Sequence, residues 1–221
     1  GNLNHPYIVM SIPHQGIKVN LSTQQCNFRL PRPFYARDTC LVARELLGKR
    51  VVRFPGGRRL AGIVVEAEAY AGTDDAASHA YHGHTPRNWP MFGSPGHAYV
   101  YFVYGMHWMF NIVAHEEDCP GAILIRALEP ELGLSVMSHH RGGKPARVLT
   151  NGPAKLAQAL AIDGALNGAD LCTHDAITVE SGLVIPGSSI ARGPRIRVPG
   201  DERAKTRPWR FWIQDNVYVS S

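Results

Sequence analysis

Leu60-Ala-Gly-Ile-Val-Val-Glu-Ala-Glu-Ala-Tyr70 begins as an apolar run and ends as an alternation. Successive side chains of a β-strand point to opposite faces. As a strand, the stretch sets Glu66, Glu68 and Tyr70 on one face and Val65, Ala67 and Ala69 on the other. Just upstream, Lys49-Arg-Val-Val-Arg-Phe54 and the breaker Pro55-Gly-Gly57 make a second strand and a turn, so the two strands read as a hairpin. Residues 39–47 before it have helical apolar spacing, with Asp38 as N-cap and Gly48 as stop. Residues 71–97 are rich in Gly, Pro, His and Asn and read as a long loop, and long loops tend to carry function.

Farther on, residues 98–104, 106–113 and 122–127 read as strands, and residues 153–161 as a helix with proline in its first turn. Strands follow at 176–179, 195–198 and 209–214. Neither a repeat nor a linker is visible. The expected organisation is one α+β domain over residues 28–221, behind a loosely ordered N-terminal extension of residues 1–27.

The composition is that of an ordinary globular protein, with 44% hydrophobic residues in a 221-residue chain. Lys and Arg number 23 against 18 Asp and Glu, a net charge of +5 that favours an anionic partner. The four cysteines match neither a zinc nor a redox spacing and read as reduced thiols. No apolar run reaches transmembrane length, and the N-terminus lacks a signal-peptide pattern.

Four sets of residues can carry chemistry. Glu68 closes a strand beside the long loop, a fitting place for a general base; the plain alternative makes Glu66 and Glu68 solvated residues of an edge strand. His79, His82 and His84, with Asp74 and Asp75 upstream, offer metal-ligand spacing but equally suit a loop surface. Tyr99 and Tyr101 share a strand face that suits either a core or stacking on a base; Tyr104 falls out of phase with them. Arginines and lysines crowd the second half beside Gly and Pro, as phosphate-contacting loops do; Arg87, Arg147, Lys155 and Arg197 are the expected phosphate contacts.

In order along the chain stand Gly62-Ile-Val-Val-Glu-Ala-Glu-Ala-Tyr-Ala-Gly72, Asp74-Asp-Ala-Ala-Ser-His79, Thr85-Pro-Arg-Asn88 and Tyr99-Val-Tyr-Phe-Val-Tyr-Gly-Met106. Asn111, Ile125-Arg-Ala-Leu-Glu-Pro130, Gly152-Pro-Ala-Lys-Leu156 and Arg210-Phe211 follow. Together these segments resemble the alkyladenine (3-methyladenine) DNA glycosylases of the mammalian type, in the form of a bacterial or similar homologue. The resemblance spans nearly everything after Phe28. Three places depart from it: the loop from His79 to Met91, shorter by one residue and holding Trp89-Pro90; the segment 195–200, where Arg197 and Pro199 replace small residues; and an insertion around residues 115–120.

The resemblance implies a curved, mainly antiparallel, barrel-like sheet with peripheral helices. It implies excision of alkylated or deaminated purines (3-methyladenine, hypoxanthine and ethenoadenine types) from double-stranded DNA, leaving an abasic site without lyase cleavage. Glu68 would activate the water and Arg126 would stand beside it. Tyr70, His79, Tyr101 and Asn111 would form the base pocket, while Tyr104 and Met106 would enter the duplex. Glu66 should matter much less than Glu68. No metal or other cofactor is implied. The protein would act as a monomer in the cytoplasm of a bacterium or the nucleus of a eukaryote, and pass its product to abasic-site enzymes. The alternatives are a metal-dependent hydrolase built on His79, His82 and His84, and a lesion-binding protein without activity.

Overall fold

The computed structural model describes residues 28–117 and 119–220; the expected extension of residues 1–27 lies outside them. Eight strands make one sheet: β1 (Arg50–Arg53), β2 (Leu60–Ala71), β3 (Ala98–Val103), β4 (His107–Val113), β5 (Gly121–Leu132), β6 (Ile177–Glu180), β7 (Ile190–Gly193) and β8 (Arg210–Ile213). Their order is β3-β4-β5-β2-β1-β6, every neighbouring pair antiparallel. Strand β8 pairs with β2 where β1 has ended, and β7 pairs with β8. The stretch that reads as half of a hairpin is therefore the spine of the sheet, with β5 along one edge and β1 then β8 along the other.

The sheet is curved and mainly antiparallel, as expected, but not closed, so barrel-like describes it only loosely. Its β3 and β6 edges meet loop residues rather than each other. Ala98 N–H donates to the Ala169 carbonyl (2.8 Å) and Val100 N–H to Asn167 Oδ1 (2.9 Å) at the β3 edge. Leu30 N–H donates to the Val179 carbonyl (2.9 Å) at the β6 edge. Covered edges need no closure to escape edge-to-edge aggregation.

Curvature has a local cause in two opposed irregularities of the β2–β5 ladder. Val64 pairs with Leu128 and Glu66 with Ala127, which leaves Val65 as an extra residue on β2; Glu66–Ala127 is then followed by Ala67–Ile125, which leaves Arg126 extra on β5. A bulge bends its strand and re-aims the side chain it carries. Consequently Val64, not Val65, joins Ala67 and Ala69 in the main core cluster.

Four short helices send buried side chains into the core cluster: α1 (Arg32–Tyr35), α2 (Thr39–Leu46), α3 (Leu134–His140) and α4 (Pro153–Ala159); α5 (Glu202–Thr206) lies outside that cluster. The ends of α2 are those expected. The Asp38 carboxylate accepts from Leu41 N–H (2.7 Å), and Gly48 takes φ +85°, a left-handed conformation that glycine adopts without penalty. Val42, Ala43 and Leu46 of α2 are fully buried in the cluster that holds Ala67 and Ala69. Alanines at those β2 positions leave room for the helix. The strand expected at residues 195–198 is absent: β7 lies earlier, and 195–198 is a loop flanked by Pro194 and Pro199, whose missing N–H groups suit no ladder. Among the described residues no helix is long and apolar enough to cross a membrane.

Candidate active site

Strand pairing lines up Tyr99 with Asn111, Asn111 with Leu124 and Leu124 with Glu68, one residue from each of four adjacent strands. Directly paired residues point to the same face. This face is the one opposite α2, and it carries a cleft of about 470 Å³, within the roughly 300–1,000 Å³ of small-molecule sites. Tyr70, His79, Tyr99, Tyr101, Asn111 and Arg126 all line it, and residues 196–199 form its far lip.

Glu68 is fully buried and does not itself line the cleft; it lies one layer beneath Tyr70, Arg126 and Ile196, which do. Its Oε1 accepts from Ile196 N–H (2.7 Å). Its Oε2 accepts from the Tyr70 hydroxyl (2.9 Å) and Arg126 Nη1 (3.2 Å). The edge-strand alternative for Glu66 and Glu68 is thereby overturned, since both are wholly buried in the central strand. Glu66 holds as many partners as Glu68: Arg126, Arg210 and Ser220. Burial, and then the charge of Glu68, push the Tyr70 hydroxyl well above its ordinary pKa, so it keeps its proton as the donor.

His79 Nδ1 lies 2.7 Å from the Tyr99 hydroxyl, and its ring meets that of Tyr101 edge-on at 4.7 Å. Burial and then Arg87 lower its pKa, which leaves a neutral imidazole near pH 7. Burial pushes Tyr101 up to about 12. Asn111 donates through Nδ2 to the Tyr99 carbonyl (3.0 Å), which pins its amide at the cleft wall. Tyr104 is 88% exposed at the tip between β3 and β4, with φ +53°. A bulky residue rarely takes this left-handed backbone, and such strain clusters at functional sites. Met106 stands beside it, also exposed.

The structure gathers most of the expected residues and scatters others. His82 and His84 do not join His79 around a common point: His82 packs on Tyr81 and His84 on Phe92. Among the described residues no group of three His, Cys, Asp or Glu side chains is placed to hold a metal ion. Of the basic residues, Arg197 lines the cleft and Arg87 lies over the Tyr101 ring at 5.2 Å. Lys155 bonds Asn151 (3.0 Å) and Arg147 is exposed; neither lines the cleft.

Sequence reasoning assigns no such role to Ser220, Arg210, the N–H of Ile196 or the pair Asp75–Arg195. Arg195 is buried, grips Asp75 through both terminal nitrogens (2.6 and 2.7 Å), and lies between the rings of Tyr70 and Trp209 at 4.7 and 5.2 Å. Their sequence separations, 120 residues for this pair, leave no local periodicity to find them by.

An aromatic-walled cleft above a buried carboxylate and its arginine, beside a protruding tyrosine, has the outline of an enzyme active site. Comparison makes that class particular. The model of the methylpurine-DNA glycosylase family matches residues 33–217. A relative from Carboxydothermus hydrogenoformans is 48% identical over 191 residues, covering 86% of this chain and 98% of its own. Another from Desulfitobacterium hafniense is 45% identical over 201 residues, covering 87% and 98%. Both are provisionally named 3-methyladenine DNA glycosylase. The chain belongs to the methylpurine-DNA glycosylase family, and is a DNA glycosylase of DNA repair.

Proposed function

We propose that the cleft receives an alkylated or deaminated purine flipped from duplex DNA, and that Glu68 activates the water that replaces it. The observation that carries this reading is the placement of Glu68: a carboxylate buried just under the cleft floor and met only by donors. The water oxygen bonds to C1′ of the sugar as the bond from C1′ to the base nitrogen breaks. The electron pair of that bond leaves with the base, and the water gives its proton to Glu68. The sugar becomes cationic in the transition state, and a nearby carboxylate stabilises it. Among the described residues no lysine lines the cleft, which supports water rather than an amine as nucleophile and an abasic product left uncut.

Tyr70 and Tyr101 supply faces for stacking the base. A charged alkylpurine gains from an aromatic face, and a neutral one gains stacking alone. Duplexes with one defined lesion each test the proposal. Release of free base with the strand intact, unchanged in EDTA, supports it; a cut strand, or loss of release in EDTA restored by zinc, refutes it. The partner proposed is duplex DNA carrying a damaged purine, worked on by one monomer whose abasic product passes to other enzymes.

Tyr104 is proposed as the wedge that fills the gap left by the flipped base. Extrusion costs a few kcal/mol, least at mismatched or unpaired positions. Tyr104→Ser should slow excision from well-paired lesions by about 10-fold, in keeping with one lost stack, and harm mismatched or single-stranded lesions much less. Single-turnover rates on the matched substrates measure this. An equal loss on all of them would show a merely structural tyrosine.

Asn111 is proposed to obstruct guanine, whose N2 amino group puts a donor on the minor-groove edge where adenine has none. Its Nδ2 is already committed to the Tyr99 carbonyl, so truncation removes both a wall and a bond to the strand. Asn111→Ser should raise the ratio of guanine-type to hypoxanthine excision several-fold on matched duplexes. A parallel fall in both activities, with the ratio unchanged, would reduce Asn111 to a strand brace.

A further inference from the structure

Arg126 sits at a bulge of β5, where the strand alone aims its side chain poorly. A long side chain with five donors has many rotamers, yet only some of them place a nitrogen on Glu68. What selects one is a second set of contacts on the side away from Glu68. Nε donates to Glu66 Oε1 (3.0 Å) and to Ser220 Oγ (3.3 Å), and Nη2 donates to Ser220 Oγ (3.1 Å). Ser220 is fixed in turn: its N–H donates to Glu66 Oε2 (2.6 Å) and its hydroxyl to Glu66 Oε1 (2.9 Å). Arg210 Nε donates to the same Oε1 (2.7 Å) and anchors Glu66 from β8. The Glu66 side chain is wholly inaccessible and that of Arg126 nearly so.

The pattern is asymmetric. Glu66 and Ser220 take Nε and Nη2, which leaves Nη1 to Glu68 Oε2 (3.2 Å). A serine from the last strand-free segment thus reaches across 94 residues of sequence to hold the arginine beside the proposed base. We propose that Ser220 and Glu66 are positioning residues for excision: they fix the Arg126 guanidinium so that Nη1 faces the Glu68 carboxylate. The inference rests on the reading of Glu68 given above. It places Arg126 between two carboxylates of different duty, Glu66 for orientation and Glu68 for chemistry. Loss of the Ser220 hydroxyl frees Nη2 and half of the Nε contact, and the guanidinium can swing away from Glu68.

The experiment measures single-turnover excision and lesion-duplex affinity for the intact chain carrying Ser220→Ala, Ser220→Thr, Arg126→Ala, Ser220→Ala with Arg126→Ala, and Glu68→Gln. Ser220→Ala should lower the excision rate by about 10- to 100-fold, the scale of a catalytic group displaced by up to 1 Å, with affinity within about twofold of the parent. Ser220→Thr keeps the hydroxyl and should recover most of the rate. In the Arg126→Ala background the serine change should cost nothing further, because its target is gone. A parental rate in Ser220→Ala, no recovery by threonine, or a full additional loss beside Arg126→Ala each overturns the proposal. Excision surviving Glu68→Gln would instead overturn the reading of Glu68, a result separable from those three. Melting temperatures identify a variant that has simply unfolded; if Ser220→Ala is one, the comparison of Ser220→Thr with the parent decides, and a threonine variant that folds but excises no faster than Arg126→Ala overturns the proposal.

Discussion

Glu68→Gln should bind lesion-containing duplex as the parent chain does and release base at least about 100-fold more slowly, the lower end of what a positioned general base contributes. The reason lies in the partners. Ile196 N–H meets Oε1, while the Tyr70 hydroxyl and Arg126 Nη1 meet Oε2. An amide offers one acceptor and one donor in place of two acceptors. If its oxygen faces Tyr70 and Arg126, its NH₂ opposes Ile196 N–H; if turned over, the NH₂ opposes Arg126. Only the Tyr70 hydroxyl can reverse its role. One buried donor is left unpaired in either orientation, at about 1–3 kcal/mol. The variant should therefore melt a few degrees lower as well as lose its chemistry. Rates are to be read well below that melting point, with binding measured on the same sample. A rate within about threefold of the parent would remove Glu68 from the mechanism. Glu66→Gln is a poor control, because Glu66 orients Arg126 and is as buried as Glu68.

Much of this architecture is legible in the order of the residues alone. The hairpin, the capped α2, the aromatic strand and the face shared by Glu66, Glu68 and Tyr70 all follow from periods of two and 3.6 and from turn chemistry. The out-of-phase Tyr104 is visible as a break in the alternation, and it proves to be a strained, exposed tip. What is not legible depends on register and on distance along the chain. Periodicity puts Val65 with the core residues, but the paired bulges of β2 and β5 shift the phase there and leave Arg126 outside the regular pairing. A bulge is a property of two strands, so neither sequence alone announces it. Burial of Glu66 and Glu68 depends on β8 and Ser220, which arrive from more than 140 residues away. The histidine spacing promises a convergence that the loop does not deliver, because His82 and His84 each find an aromatic neighbour instead. Residues 195–198 read as a strand from Ile196 and Val198; their flanking prolines and the use of Ile196 N–H by Glu68 take them out of the ladder.

Asp75→Asn should destabilise the chain by about 3–5 kcal/mol, the usual cost of breaking a buried ion pair from one side. Both side chains of the Asp75–Arg195 pair are wholly inaccessible to solvent. Arg195 also donates to the carbonyls of Ala69 (2.9 Å) and Ala204 (3.0 Å), so one guanidinium ties the end of β2 to α5. Asparagine keeps the size of the side chain but presents one oxygen where the guanidinium needs two, and it removes the countercharge. The cation then stays buried beside Trp209 and Tyr70 with only carbonyls and ring faces for company. For a chain of this length the loss corresponds to a melting temperature lower by roughly 6–20 °C. Function should suffer beyond stability, because Arg195 precedes Ile196, whose N–H binds Glu68, and its cation backs the Tyr70 ring. Excision measured in the cold, where the variant remains folded, should still fall several-fold. Reversible urea unfolding gives the stability term, and a midpoint equivalent to less than about 1 kcal/mol of change would mean that water or a shifted Asp74 compensates the cation. The pair is then a brace of little consequence, and the orientation of Ile196 must come from the prolines on either side of its loop.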